Sequence, residues 1–132
     1  MEILKEYARY LDKQGIKYNN HQGFSVHFNL DNVGFTAIDV IESYNGQYSV
    51  YDYIGEANVG KRAANKLVKE LSAAFPDYKI FIEQYTVFEI EIQQYFDFTT
   101  IENLHQRVLS MADAINRGYK IAKDMLGESF YR

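Results

Sequence analysis

The sequence contains no cysteine, no tryptophan and a single proline among its 132 residues. Without cysteine there can be no disulfide, no thiolate ligand for zinc and no thiol nucleophile. No stretch approaches the roughly 18 apolar residues of a membrane span, and the charged segment 1–6 lacks the apolar core of a signal peptide. We therefore expect one domain, residues 1–132, that is cytoplasmic and independent of membranes.

Positive charge is also in short supply. The sequence has 14 lysines and arginines and 18 aspartates and glutamates, which gives a net charge of −4. An acidic surface repels phosphates, so nucleic acid is excluded as an expected partner. Aromatic residues are abundant, with 12 tyrosines and nine phenylalanines. Tyrosine suits a protein contact surface because it buries a large area and keeps a polar tip.

Apolar periodicity predicts three amphipathic helices, at residues 2–14, 59–75 and 101–126. At 1.5 Å per residue the last helix is roughly 40 Å long, more than the predicted strands can cover. We expect its excess length to pack against a second copy of the chain. Ile115 and Tyr119 are the predicted dimer residues, with the second helix as a further contributor.

Alternating apolar residues predict five strands, at 24–30, 33–43, 47–54, 78–82 and 88–92. Their order with the helices is α-βββ-α-ββ-α. This order predicts an α+β fold, in which a five-stranded antiparallel sheet has helices packed on one face.

Short turns at Asp31-Asn32 and Asn45-Gly46 set the predicted register of the first three strands. In that register Val40 faces Tyr51 and Ile38 faces Tyr53. The sheet face without helices is then half apolar and rich in tyrosine, which is typical of a contact surface; the alternative is that a terminal helix or loop covers it. The predicted partner-binding residues are Ile38, Val40, Tyr51, Tyr53 and Phe81.

The same register places Asp39 opposite Asp52. Two facing carboxylates would raise one pKa, as in acid/base pairs, or would bind a divalent cation. The alternative is a pair of solvated carboxylates at the rim of the sheet, or carboxylates paired with a lysine. Because no histidine or third acid lies nearby in sequence, we predict no catalytic residue and no metal site.

Residues 55–62 match the G-x-x-x-x-G-K pattern of a phosphate-binding loop. Arg62 stands where that loop needs serine or threonine for Mg²⁺, and Glu56 adds negative charge where phosphate would bind. The preceding strand also closes a hairpin, whereas the phosphate loop follows a parallel strand. We therefore expect no nucleotide and no other cofactor.

The order of elements, the size, the acidity and the Asn45-Gly46 meander resemble the bacterial type III secretion chaperone-like fold, which includes the YbjN-like domains. The resemblance covers residues 2–126. It implies a homodimer that binds an extended segment of a partner protein and carries out no chemistry.

Three functional hypotheses follow. The first is a non-enzymatic, chaperone-like protein-binding module that acts as a homodimer. The alternative is a small acidic immunity or inhibitor protein that blocks a basic toxin through charge complementarity. The third, which we favour least, is a metal-dependent or acid/base enzyme that uses Asp39 and Asp52.

Overall fold

In a computed structural model, residues 2–132 form three α-helices and one antiparallel sheet of seven strands. The helices are α1 (Glu2–Gln14), α2 (Lys61–Ala74) and α3 (Ile101–Leu126). The strands are β1 (Tyr18–Asn19), β2 (Phe24–Leu30), β3 (Gly34–Glu42), β4 (Gln47–Ala57), β5 (Lys79–Gln84), β6 (Phe88–Asp97) and β7 (Phe130–Tyr131). The α+β class is confirmed. The predicted count of five strands is wrong, because the two-residue strands β1 and β7 also join the sheet.

The strands lie in the order β1-β2-β3-β4-β6-β5, and β7 pairs with β4 beside β3. β4 is the longest strand. It pairs with β6 over almost its whole length, but with β3 only over Asp39–Glu42. The other half of β3 diverges from β4, and the short β7 pairs with β4 at residues 56 and 57. The sheet therefore contains a fork between β3 and β4.

All three helices contribute buried side chains to one core with one face of the sheet, which we call the covered face. Its central side chains, from β2, β3, β4 and β6, are fully buried: Val26, Ile38, Val50 and Ile92. α3 passes over β4 at Gly118, where an added Cβ would lie 3.4 Å from Ile54 Cδ1. Gly118 therefore does not interrupt the helix, and its lack of a side chain lets α3 approach the sheet closely.

Both hairpins that flank β3 have longer loops than the sequence indicated. Ser43 N–H donates to the Gln47 carbonyl at 2.8 Å, so three residues, Tyr44–Gly46, form the turn. Leu30 pairs with Gly34, which leaves another three-residue loop. Each extra residue shifts the register by one. Because side chains alternate across a strand, β3 presents the opposite face from the one predicted.

Thr100 caps the N-terminus of α3, because its hydroxyl accepts a hydrogen bond from Asn103 N–H at 3.0 Å. The Gly55–Arg62 segment also forms ordinary structure. Gly55 lies in β4 beside a register shift, and Gly60 is the residue that precedes α2.

Candidate protein-binding face

The face of the sheet opposite the helices is the candidate site, and we call it the open face. The register assigns to it alternate residues of β2 to β6. One transverse row contains Asp39, Tyr51, Gln93 and Lys79. The next row contains Tyr53, Glu91 and Phe81.

Tyr51, Tyr53 and Phe81 lie on the open face, where the sequence predicted them. All three are half-buried by their neighbours in the sheet. Lys79 Nζ lies 5.1 Å from the centre of the Phe81 ring, within the range of a cation–π contact. Their role as contact residues stays a prediction, but their placement makes a half-apolar surface that another polypeptide could cover.

The placement of Ile38 and Val40 on this face was wrong. Val40 pairs with Val50, and both point into the core, as does Ile38. Because each loop that flanks β3 is one residue longer than predicted, these side chains point into the core. Phe35, Ala37 and Ile41 take their places on the open face, and the side chains of Phe35 and Ile41 are 58% and 40% exposed.

Tyr95, which is 51% exposed, extends the apolar surface toward the Tyr44–Gly46 turn. It lies opposite Ser49, the neighbour of Ile41 across the sheet. Sequence reasoning missed Phe35, Ile41 and Tyr95 as surface residues. If the loops before and after β3 had been assigned three residues each, the alternating pattern would have predicted Phe35 and Ile41 on the open face.

The fork between β3 and β4 is filled by the Arg132 side chain, which follows β7. Its guanidinium donates to the carbonyl oxygens of Phe35 and Tyr53, both at 3.0 Å, and to the Thr36 hydroxyl at 2.6 Å. It also forms an ion pair with Asp52 at 3.1 Å and lies 4.3 Å from the centre of the Tyr53 ring. Arg132 therefore joins two strands that no longer hydrogen-bond to each other.

Asp52 and Asp39 do not face each other across the strands, so that prediction was wrong. Asp39 lies opposite Tyr51, whereas Asp52 lies opposite Ile92 and is buried. Burial raises the pKa of Asp52 to about 6, although the Thr36 hydroxyl and the Arg132 charge both act to lower it. The charge of Asp39 also raises the pKa of Asp52, but it is the smallest of these contributions. Asp52 is a structural ion-pair partner in this arrangement, since its oxygens bind Thr36, Arg132 and the Tyr53 N–H.

Glu91 differs from every other carboxylate on the open face because its side chain is buried. The residue is 3% exposed, and its Oε2 atom has no hydrogen-bond partner. Burial raises the pKa of Glu91. A buried carboxylate oxygen without a partner is costly, so Glu91 is the carboxylate of the open face that would gain most from a cationic or hydrogen-bonding partner.

The predicted dimer residues on α3 are placed differently from expectation. Ile115 is fully buried in the core and is not available to a second copy, so that prediction is wrong. Tyr119 is half-buried, with its ring centre 5.6 Å from that of Phe130. The exposed apolar residues of α3 are instead Leu109 and Met125.

The histidines are separated. His105 Nδ1 and the Tyr7 hydroxyl are hydrogen-bonded at 2.8 Å between α3 and α1, and burial lowers the pKa of His105. His27 lies against Phe35 on the open face. Residues 2–132 contain no group of three histidines, aspartates or glutamates arranged to hold a metal ion.

An open cavity of about 640 Å³ adjoins this face where α1 approaches the end of β3. Leu4 and Lys5 line one side, and residues 39–42 line the other. Burial there raises the pKa of Asp39. Because Asp39 is opposite Tyr51, the cavity extends the open face toward α1.

The topology and the covered sheet define a YbjN-like α+β fold, which confirms the fold implied by the order of elements. One solved structure that it resembles is that of YbjN from E. coli, described as a candidate transcription regulator. The TM-score is 0.62 at 19% identity, over 92% of this chain and 90% of that one. No family model and no curated protein matches the sequence. Within residues 2–132, none of the helices has the length and apolarity needed to cross a bilayer.

Proposed function

We propose that this chain is a non-enzymatic, chaperone-like binding module that acts on another protein through its open face. The observation that carries the proposal is the composition of that face. Half-buried Tyr51 and Tyr53 lie on the central strand β4, half-buried Phe81 lies on the outer strand β5, and Phe35 and Tyr95 are exposed on the same face. Large apolar groups that a chain leaves accessible on one sheet face are typical of protein interaction sites.

The mode of binding in this proposal is burial of an extended segment across the strands. Tyrosines supply contact area at low cost in side-chain entropy, and their hydroxyls keep hydrogen-bonding capacity. Strand β5 is an outer strand of the sheet, so a partner segment could also add to it through backbone hydrogen bonds.

The test is a comparison of two double variants during affinity purification from the cells that make the protein. We expect Tyr51→Ala with Tyr53→Ala to lose a partner that the unaltered chain retains. Tyr44→Ala with Tyr85→Ala is the matched control, since these exposed tyrosines lie outside the two rows that contain Tyr51 and Tyr53. Retention of every partner by the Tyr51/Tyr53 variant, with its fold verified by circular dichroism, would contradict the proposal.

The proposal includes a homodimer. Ile115 cannot contribute to it, and Leu109 and Met125 are 16 residues apart on α3, which places them about 160° apart around the helix. These two residues therefore do not form one flat apolar stripe, and the open face is the better surface for self-association as well. Light scattering should give twice the 15.4 kDa mass of one chain; a mass of one chain would remove this part of the proposal.

A further inference from the structure

Four glutamates occupy two neighbouring rows at one end of the open face. Glu89 lies directly between Glu56 and Glu83 in one row. Glu91 lies between Tyr53 and Phe81 in the next. Like charges directly opposite each other on a sheet destabilise it, and the charges of Glu56 and Glu83 add to burial in raising the pKa of Glu89. The isolated chain therefore holds these carboxylates together at a cost.

None of the four has a cation partner in the part of the chain that the structure describes. The ion pairs between side chains involve Glu2, Asp52, Asp113 and Asp124 instead. Lys79 is the lysine of the neighbouring row, and its ammonium lies over the Phe81 ring. Glu91 is the independent sign of a ligand, because it is almost fully buried and its Oε2 has no partner.

The charges and contacts of this surface indicate the chemistry of a partner that would fit it. A divalent cation is disfavoured, because residues 2–132 contain no group of three carboxylates placed to coordinate one. Carboxylates spread over three strands, with aromatic rings beside them, instead match a row of lysine or arginine side chains. An extended segment that alternates basic and apolar residues would meet both.

We propose that the partner segment bound by the open face is basic, with one cationic side chain entering between Tyr53 and Phe81 to pair with Glu91 and others pairing with Glu83 and Glu89. This inference rests on the proposed function and specifies the chemistry of its partner. Pairing would neutralise a like-charged row and supply the hydrogen bond that Glu91 lacks.

The test uses three eight-residue synthetic peptides in which valine alternates with lysine, serine or glutamate. Binding to the ¹⁵N-labelled chain is followed by two-dimensional NMR at low ionic strength. We expect only the lysine peptide to shift the amide signals of Phe81, Glu83, Glu89 and Glu91. Equal shifts with the serine peptide, shifts confined to other residues, or no binding of the lysine peptide would overturn the inference.

Two matched variants separate a specific site from general charge attraction. Glu83→Gln with Glu89→Gln should weaken binding of the lysine peptide about tenfold, the loss expected for two partly exposed ion pairs. Glu6→Gln with Glu70→Gln changes the net charge equally on exposed helix positions and should leave the affinity nearly unchanged. Equal losses in both variants would contradict a site at the glutamate rows.

Thermal unfolding provides a second readout. Removal of the facing charges should raise the melting temperature of the Glu83→Gln, Glu89→Gln variant, and this also verifies that it is folded. A lower or unchanged melting temperature would show that the row carries no cost, which would contradict the inference. If the Tyr51/Tyr53 variant loses its cellular partner and the glutamine variant does not, the proposed function stands and the basic segment is wrong.

Discussion

The ion pair of Asp52 and Arg132 shows how single residues hold this sheet together. Arg132 replaces the missing hydrogen bonds between β3 and β4 with contacts to Phe35, Thr36 and Tyr53. A charge buried at such a point is tolerated only because its partner is also present. No local sequence pattern pairs residues that are 80 positions apart, so this contact could not be predicted.

The raised pKa of Asp52 has a consequence for stability. The pKa of Asp52 is about 6 in the fold and near 4 in an unfolded chain. Between pH 4 and pH 6, Asp52 is therefore protonated to a greater extent in the folded state than in the unfolded state. The stabilisation of the fold that comes from proton binding to Asp52 is complete below pH 4 and is lost as the pH rises through 6. The free energy of unfolding of the wild type minus that of Asp52→Asn should fall by about 2–3 kcal/mol from pH 4 to pH 7.

Urea unfolding of both proteins across this pH range measures that difference. The comparison uses the change with pH, because Asp52→Asn also weakens the contact with Arg132 at every pH. A difference that stays constant or grows with pH would mean that the pKa of Asp52 is not raised.

Gly55 is a position where no side chain fits. A Cβ there would lie 2.6 Å from the Phe130 ring and 2.8 Å from the Tyr131 carbonyl oxygen. Gly55→Ala should therefore destabilise the fold by about 1–3 kcal/mol in urea unfolding, because β7 would have to shift. Gly60→Ala is the control, since its Cβ would meet nothing within 4 Å. Equal losses in both variants would contradict the close approach of β7.

Among the elements, β3 shows where sequence patterns succeed and fail. Its existence and length were predictable from the alternation of residues 33–43. The sheet face to which each of its side chains points depends on the lengths of the two flanking loops, and both loops were predicted one residue too short. The two errors agreed with each other because both inverted the same strand, so consistency between hairpins was no evidence for the register. In the β5–β6 hairpin Ile80 lies opposite Ile92 and Phe81 lies opposite Glu91, so Phe81 is on the open face, where it was predicted.

The helices were easier to predict because their apolar stripes repeat over several turns. α1 matches its predicted range, and α3 has its predicted length despite Gly118. A glycine in a helix has two explanations, a break or a close contact, and only the position of Ile54 decides between them.

Gly118→Ala is accordingly expected to stabilise α3. The added Cβ would lie 3.4–3.7 Å from Ile54, Leu71 and Phe75, which is ordinary packing distance. Alanine is favoured over glycine in a helix by about 1 kcal/mol, so the free energy of unfolding should rise by about 0.5–1 kcal/mol. Gly118→Leu should lower it, because a larger side chain has no space there. A loss of stability in the alanine variant would contradict the packing described for α3.

At the scale of the whole molecule, the sequence predicted the α+β layers and the presence of an open face. It predicted the composition of that face only in part. Tyr51, Tyr53 and Phe81 were placed there, whereas Ile38 and Val40 exchanged places with Phe35 and Ile41. The burial of Glu91 depends on neighbours from β4 and β5, which no local pattern reveals.

The most direct measurement of the central claim is photo-crosslinking at single positions in the cells that make the protein. A benzoylphenylalanine at Tyr95 reports on the open face, and one at Leu109 reports on the outer side of α3; both residues are exposed. We expect the probe at Tyr95 to crosslink another polypeptide and the probe at Leu109 to yield no crosslink. Crosslinking at Leu109 alone, or at neither position, would contradict a binding role for the open face.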